Sequence, residues 1–240
     1  MIKTACVTGA DRGIGLELVK RLLERGCKVF AGKYASARGA LDELREEHPD
    51  RLSVIPLDIG SDASVRQAAS QIAESAAAID LIVNNAGILG DIERTVYDED
   101  LDFDEMLQVF NVNALGAFRV VHALLKPLMR SEGKLIANIS SEAGSIGAAK
   151  RTNWYGYCMS KAALNMQAVL LHNQLREQGG QVLLIHPGWV QTQMRGHLDA
   201  GATYTPEQAS VHIMDVIADR ERYRGDKPAF VDLLGRPYPW

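Results

Sequence analysis

The sequence predicts an α/β fold: one doubly wound, mostly parallel sheet of seven strands with helices on both faces. Three observations carry this prediction. Short apolar, β-branched runs alternate with helical patterns along all 240 residues. The first run ends in the turn Gly9-Ala10-Asp11-Arg12-Gly13-Ile14-Gly15, which opens a helix. No linker or internal repeat interrupts the alternation, so residues 1–240 read as a single domain.

Composition narrows the possibilities. Apolar content of 47% and charged content of 23% are ordinary for a soluble globular protein. A formal net charge of -4 offers no electrostatic basis for binding nucleic acid or an anionic membrane. Cys6, Cys27 and Cys158 have neither zinc-ligand nor Cys-x-x-Cys spacing and form no even disulfide framework, which suits a reducing compartment. The first residues are too briefly apolar for a signal peptide, and no run approaches the ~18 apolar residues of a membrane span. The expected location is the cytoplasm.

The elements follow in order. Ile2 to Thr8 is the first strand, and Leu16, Val19, Leu22 and Leu23 form the helical stripe that ends at Gly26. Lys28 to Gly32 is the second strand, Ser36 to Glu47 an amphipathic helix, and Leu52 to Leu57 the third strand, delivering Asp58 at its end. A helix begins near Ser61, and Asp80 to Val83 is the fourth strand, leading into Asn84-Asn85-Ala86-Gly87. From Asp102 one apolar face (Phe103, Met106, Leu107, Phe110) continues through Asn113 to Leu128, with a kink expected at Pro127. Lys134 to Ile139 is the fifth strand, ending at Ser140-Ser141. The helix carrying Tyr157 and Lys161 runs to about Gln178, and Gly179-Gly180 close it. Val182 to Ile185 is the sixth strand, broken by His186-Pro187-Gly188. A polar, glycine-bearing stretch at about 189–205 reads as a flap, and Thr205 caps a helix over Pro206 to Ala218. Ala229 to Asp232 is the last strand, and an aromatic tail ends in Pro237-Tyr238-Pro239-Trp240; the segment at about 225–240 is expected on the substrate side with the flap.

Strand, glycine turn and helix together form the context in which Gly9, Gly13 and Gly15 cradle a phosphate at a helix N-terminus. This is the Rossmann arrangement for a dinucleotide. An acid on the ribose 2′-hydroxyl would follow about 20 residues later if the cofactor were NAD(H). Here Ala31-Gly32-Lys33-Tyr34-Ala35 holds no acid, and Lys33 and Arg12 are two cations suited to a 2′-phosphate, so NADP(H) is favoured over NAD(H). Asp58, on the carboxyl edge of the sheet, is placed to meet an adenine; the alternative role is a helix N-cap.

Tyr157 and Lys161 lie one helical turn apart on the same face. A phenol titrates near pH ~10, and a fixed ammonium lowers that value by favouring the anion. For an isolated pair the ordinary reading is a surface contact. The rival Tyr155 has Met159 as its partner four residues on, and no charge. Asn113 is a polar residue in an apolar helix and requires a hydrogen-bonding partner. Ser160 reads as a helix or rim residue, and no hydrolase elbow or metal-ligand spacing is present. Trp154, Trp189, Met194 and Trp240 fit either an apolar substrate pocket or plain packing.

Thr8-Gly9-x-x-x-Gly13-x-Gly15, Asn84-Asn85-Ala86-Gly87, Asn113, Ser141, Tyr157-x-x-x-Lys161 and Pro187-Gly188, in this order, resemble the classical short-chain dehydrogenase/reductase family over essentially the whole chain. Ser140 to Ser145, Trp154 to Tyr157, His186 to Val190 and the closing Pro-Tyr-Pro-Trp look like the sniffer and C-factor group, linked to NADPH-dependent carbonyl reduction and, in the C-factor branch, to bacterial cell–cell signalling. The resemblance implies a catalytic set of Asn113, Ser141, Tyr157 and Lys161, with Tyr157 the general acid, Ser141 on the carbonyl oxygen and Asn113 positioning Lys161 through a water. It implies cofactor contacts at Gly9, Asp11, Arg12, Gly13, Ile14, Gly15, Lys33, Asp58, Ile59, Asn85, Ala86, Gly87, Tyr157, Lys161, Pro187, Gly188, Val190 and Thr192. Extra residues around Lys150 to Asn153 depart from the commonest spacing, and Lys33-Tyr34 stands where related reductases more often have arginine.

The function expected from this is NADPH-dependent reduction of a small carbonyl substrate (aldehyde, ketone or quinone). The alternatives are an NADP(H)-binding regulator of C-factor type and an alcohol dehydrogenase working in the oxidative direction. The helices 112–130 and 157–178 are apolar enough to pair with copies of themselves, so a homodimer or homotetramer is the expected assembly.

Overall fold

A computed structural model describes residues 1–240. The chain runs β1 (Thr4–Val7), α1 (Gly13–Glu24), β2 (Lys28–Lys33), α2 (Ala40–Glu47), β3 (Leu52–Pro56), α3 (Asp62–Ser75) and β4 (Leu81–Asn84). It continues through α4 (Phe103–Phe110), α5 (Ala117–Arg130), β5 (Leu135–Ile139), α6 (Tyr155–Leu175), β6 (Gln181–His186), α7 (Pro206–Ala218) and β7 (Ala229–Asp232). The strands form one sheet in the order β3-β2-β1-β4-β5-β6-β7. Every adjacent pair in it is parallel, where the sequence predicted a mostly parallel sheet.

Parallel strands covered on both faces need apolar residues at successive positions. β5 meets this fully, since Leu135 to Ile139 are all buried. Val7, Val29, Val83, Ala137 and Ile185 point to a layer made by α1 and α7, with Leu18, Val19, Leu22, Ile213 and Ile217. Cys6, Phe30, Ile82, Ile136 and Leu184 point to the opposite layer, with Val65 and Ile72 of α3, Val121 and Leu124 of α5, and Leu171 of α6. The sheet is therefore doubly wound. The order of connection reverses between β1 and β4, and open α/β sheets bind ligands at the carboxyl edge of such a switch point.

One helix start differs from expectation, and two further helices carry local features that bear on the site. The second helix starts at Ala40 and not at Ser36, because Gly39 is extended and the Asp42 carboxylate accepts its N–H at 2.9 Å. The third helix is capped by Ser61, whose Oγ accepts the Ser64 N–H; Asp58 is not the cap. The long apolar helix is continuous from Phe103 to Arg130, but residues Asn111–Gly116 are wound as a π-helix. Such wide turns shift the following face of a helix and recur at functional sites. Here the wide turn buries Asn113.

The tail also differs from expectation. It folds back on β7 with an antiparallel bridge between Val231 and Pro237, and none of its residues lies in the wall of the main cleft. Trp240 packs on Phe230 at 5.7 Å between ring centroids, so its role is packing and not pocket lining.

Candidate active site

A cleft of about 960 Å³ opens along the carboxyl edge of the sheet. That is the upper end of the usual range for one small-molecule site and leaves room for an extended ligand. Its floor at the switch point is stitched by Thr8. The Thr8 hydroxyl accepts the N–H groups of Asn85 and Ala86, each at 3.0 Å, and the Asn85 side chain donates to the carbonyls of Thr8 and Gly9 at 3.0 and 2.9 Å. Gly9, at φ +60°, passes so close to this second turn that a Cβ would lie 2.8 Å from the Ala86 Cα. The two turns therefore meet backbone to backbone, leaving a concave surface that a large ligand can approach.

The start of α1 faces the same cleft. Arg12 occupies the N-cap with no side-chain cap, and no acid stands in the first turn. Its unpartnered N–H groups and the positive end of the helix suit a phosphate. Gly9, Asp11, Arg12, Gly13, Ile14, Asp58, Ile59, Asn85, Ala86 and Gly87 all line the cleft, as do Pro187, Gly188, Val190 and Thr192 on its other side. Gly15 lies beneath, buried against the Gly9 carbonyl and the Asn85 side chain, and so shapes the turn without facing the cleft. The Asp11 carboxylate accepts the N–H groups of Tyr34 and Ala35 at 3.0 and 2.8 Å, tying the glycine turn to the loop after β2.

Lys33, like Gly15, is absent from the wall. Its Nζ is 2.5 Å from the Asp42 carboxylate at the start of α2. The cation expected for a 2′-phosphate is thus held by an acid that the fold brings beside it, and Tyr34 takes its place in the wall.

Ser141, Tyr157 and Lys161 converge where β5 ends and α6 begins, and all three line the cleft. Ser141 caps a short 3₁₀ turn, Glu142–Gly144, its Oγ accepting the Ala143 N–H at 3.1 Å. Lys161, 4% exposed, donates from Nζ to the Ile139 carbonyl at 2.9 Å and lies 5.6 Å from the Tyr157 ring centroid. Burial lowers the Lys161 pKa to about 8. Burial also raises that of Tyr157 to about 12, against the opposing pull of a hydrogen bond with Ser141. The sense of the Tyr157 shift is therefore opposite to the one expected from Lys161 alone. At neutral pH the pair is a phenol beside an ammonium.

Asn113 reaches α6 through Ser160. Its amide donates to the Ser160 Oγ at 2.9 Å and to the Ile88 carbonyl at 2.8 Å, while its Oδ1 accepts the Ile88 N–H at 2.8 Å. Ser160 donates in turn to the Tyr157 carbonyl at 2.8 Å. It is fully buried within α6, so of its two sequence readings the helix residue holds and the rim residue does not. With these bonds Asn113 ties the β4 loop to the residue next to Lys161.

The cleft beside Tyr157 carries further residues. Trp154 holds a left-handed backbone (φ +65°), its ring 6.0 Å from that of Tyr157. The guanidinium of Arg151, from the inserted stretch, lies 4.3 Å from the Trp154 ring centroid, and Arg195 of the flap 5.6 Å from it. Arg151 is also paired with Glu142. Trp189 donates from its indole N–H to Asp199 at 2.8 Å. Ser160 and Arg195 were not legible as site residues, whereas Thr8 stands in the glycine motif and Arg151 in the inserted stretch, neither with a role of its own.

A family model described as short chain dehydrogenase matches residues 3–203. The C-signal of Myxococcus xanthus is 33% identical over 162 residues, spanning 68% of this chain and 93% of that protein. The crystal structure of NADPH-bound carbonyl reductase from chicken fatty liver aligns with a TM-score of 0.85 at 29% identity, covering 100% of this chain and 99% of the other. Carbonyl reductase Sniffer of Drosophila melanogaster aligns over 100% of both chains with a TM-score of 0.89; at 24% identity that likeness is one of fold.

Proposed function

The chain belongs to the short-chain dehydrogenase/reductase family of oxidoreductases, and we propose that it reduces a small carbonyl compound to the alcohol with NADPH, Tyr157 acting as general acid. The observation that carries this reading is the convergence of Ser141, Tyr157 and Lys161 at the end of a cleft whose other end is a glycine cradle and a free helix N-terminus. The likeness to an NADPH-bound carbonyl reductase supports it.

The residues fit the cofactor. Gly9, Gly13 and the first turn of α1 would hold the pyrophosphate, Arg12 the 2′-phosphate, Asp58 and Ile59 the adenine, and Asn85 to Gly87 the adjoining ribose. Lys161, Pro187, Gly188, Val190 and Thr192 would hold the nicotinamide end. Bound NADPH supplies the hydride for the carbonyl carbon. Ser141 accepts the role of hydrogen-bond donor to the carbonyl oxygen, and Tyr157 gives its proton to that oxygen as charge develops there. The resulting tyrosinate is stabilised by the Lys161 ammonium until a proton returns from solvent. Asn113, through Ser160, fixes the turn of α6 on which both residues stand. Oxidation of an alcohol is the same chemistry reversed, with Tyr157 as base.

The likeness to C-signal favours a second reading, an NADP(H)-binding regulator with little turnover. Loss of reduced-nicotinamide absorbance against aldehydes, ketones and quinones, repeated with NADH, separates the two. Turnover with NADPH supports the reductase; tight NADPH binding with no turnover supports the regulator.

A homo-oligomer formed through α4, α5 and α6 is part of the proposal. Phe103, Leu107, Phe118, Met159, Met166 and Leu170 are exposed on these helices. Sedimentation of the native protein and of Leu170→Glu tests it: dissociation of an oligomer by the charge supports this face, and a native monomer rejects it.

A further inference from the structure

We infer that the aromatic tail is a positioning element for Ser141, acting through His186 and Gly147; the inference rests on the reductase reading of the site. The tail reverses at Asp232. Its Oδ1 accepts the N–H groups of Leu234 and Arg236, both at 3.0 Å, and its own N–H donates to the Arg236 carbonyl at 2.9 Å. Tyr238 then donates its N–H to the Phe230 carbonyl at 2.8 Å. The Tyr238 and Trp240 rings lie 5.2 and 5.7 Å from the ring of Phe230, which is 3% exposed. The tail is thereby fixed to a core strand.

From that anchorage it touches the serine segment at two points. The Tyr238 ring packs on His186 at 5.3 Å, and His186 Nδ1 accepts the Glu142 N–H at 3.2 Å. The Trp240 carbonyl accepts the Gly147 N–H at 2.5 Å, and a Cβ on Gly147 would lie 2.8 Å from that oxygen. Glu142 and Gly147 bracket the turn that Ser141 caps. The segment after β5 is therefore held at its start by a histidine and at its end by the tail, and the serine hydroxyl is aimed by both.

The bond to Glu142 requires an imidazole with Nδ1 unprotonated and the proton on Nε2. Burial favours that neutral form, while the Glu142 and Asp232 carboxylates oppose it; Tyr238 is the other titratable group packed on the ring. The task of His186 is thus acceptance at Nδ1, which an asparagine oxygen can also perform.

The test uses the full chain with His186→Phe, His186→Asn and Tyr238→Ala, reading amide hydrogen exchange over 142–147, NADPH affinity, and kcat and KM for carbonyl reduction. Losing one such hydrogen bond is expected to speed exchange at Glu142 and lower kcat by roughly tenfold in His186→Phe, with NADPH affinity and KM unchanged. Tyr238→Ala should move both in the same direction, and His186→Asn should restore most of each. Unchanged exchange and kcat in His186→Phe would overturn the inference, as would an asparagine variant as impaired as the phenylalanine one. A wild-type protein that binds NADPH but reduces no carbonyl overturns the reductase reading alone, and the exchange rates then decide the positioning role.

Discussion

Lys33 Nζ lies 2.5 Å from Asp42 Oδ2, and both side chains are mostly withdrawn from solvent. Lys33 is the cation nearest in sequence to where a 2′-phosphate would be read, yet the fold gives it to α2. The partnership holds the Asp42 carboxyl below the usual carboxylate range, chiefly through the Lys33 hydrogen bond and then that of the Gly39 N–H. The proposed preference for NADPH then rests on Arg12. Arg12→Ala is expected to weaken NADPH binding by about tenfold and leave NADH binding unchanged, measured by fluorescence titration. Asp42→Asn, which frees Lys33, is expected to raise the NADPH-to-NADH affinity ratio; an unchanged ratio would show that Lys33 cannot reach the cofactor.

The bond from Asn113 to Ser160 joins a π-helical turn to the turn of α6 that carries Tyr157 and Lys161. Ser160→Ala leaves a buried amide donor unpartnered, at a cost of about 1–3 kcal/mol. Denaturant unfolding should show that loss, and kcat should fall while NADPH affinity holds. Wild-type stability in the variant would mean that the amide finds another partner.

Lys161 is depressed to about 8, so its ammonium is present at neutral pH and lost as pH rises through that value. Tyr157, raised to about 12, keeps its proton over the same range. The reduction rate should therefore fall above about pH 8, and Lys161→Met should abolish that limb along with most activity. Stability behaves differently. The unfolded chain holds the Lys161 proton up to its ordinary value of 10.5, so the cost of burying the charge is present below about pH 8 and is relieved as pH rises from there to 10.5. Stability gained over that window in the wild type but not in Lys161→Met checks this.

His186 titrates below its ordinary value because it is buried, despite nearby carboxylates. Stability from its neutral form is intact above the unfolded pKa and is lost as pH falls below it. Thermal unfolding followed from neutral to acid pH should show a steeper decline in wild type than in His186→Asn.

Gly9 combines a positive φ with close approach to Ala86. Gly9→Ala is expected to cost roughly 1–2 kcal/mol from the left-handed backbone alone, and more from the contact, with cofactor binding lost first. Unfolding and NADPH titration of the variant measure the two effects.

Much of this was legible in the sequence because backbone constraints leave residue-level traces. The turn at Gly9, Gly13 and Gly15 needs glycine, buried parallel strands need apolar runs, and a phenol and ammonium four apart on a helix must share a face. What was not legible depends on distance in the chain. Asp42 meets Lys33 only after α2 packs, and Ser160 meets Asn113 across 47 residues. The sense of the Tyr157 shift follows from burial, which a sequence spacing does not report. The tail likewise reads as a run of aromatic residues until Tyr238 is seen on His186.

The proton donor is open to removal by a single substitution. Tyr157→Phe removes the proton donor and keeps the ring, so NADPH-dependent carbonyl reduction should fall by about 100-fold or more while NADPH affinity stays at the wild-type value. Near-normal reduction by Tyr157→Phe, with the cofactor still bound, would contradict Tyr157 as the general acid and the account built on it.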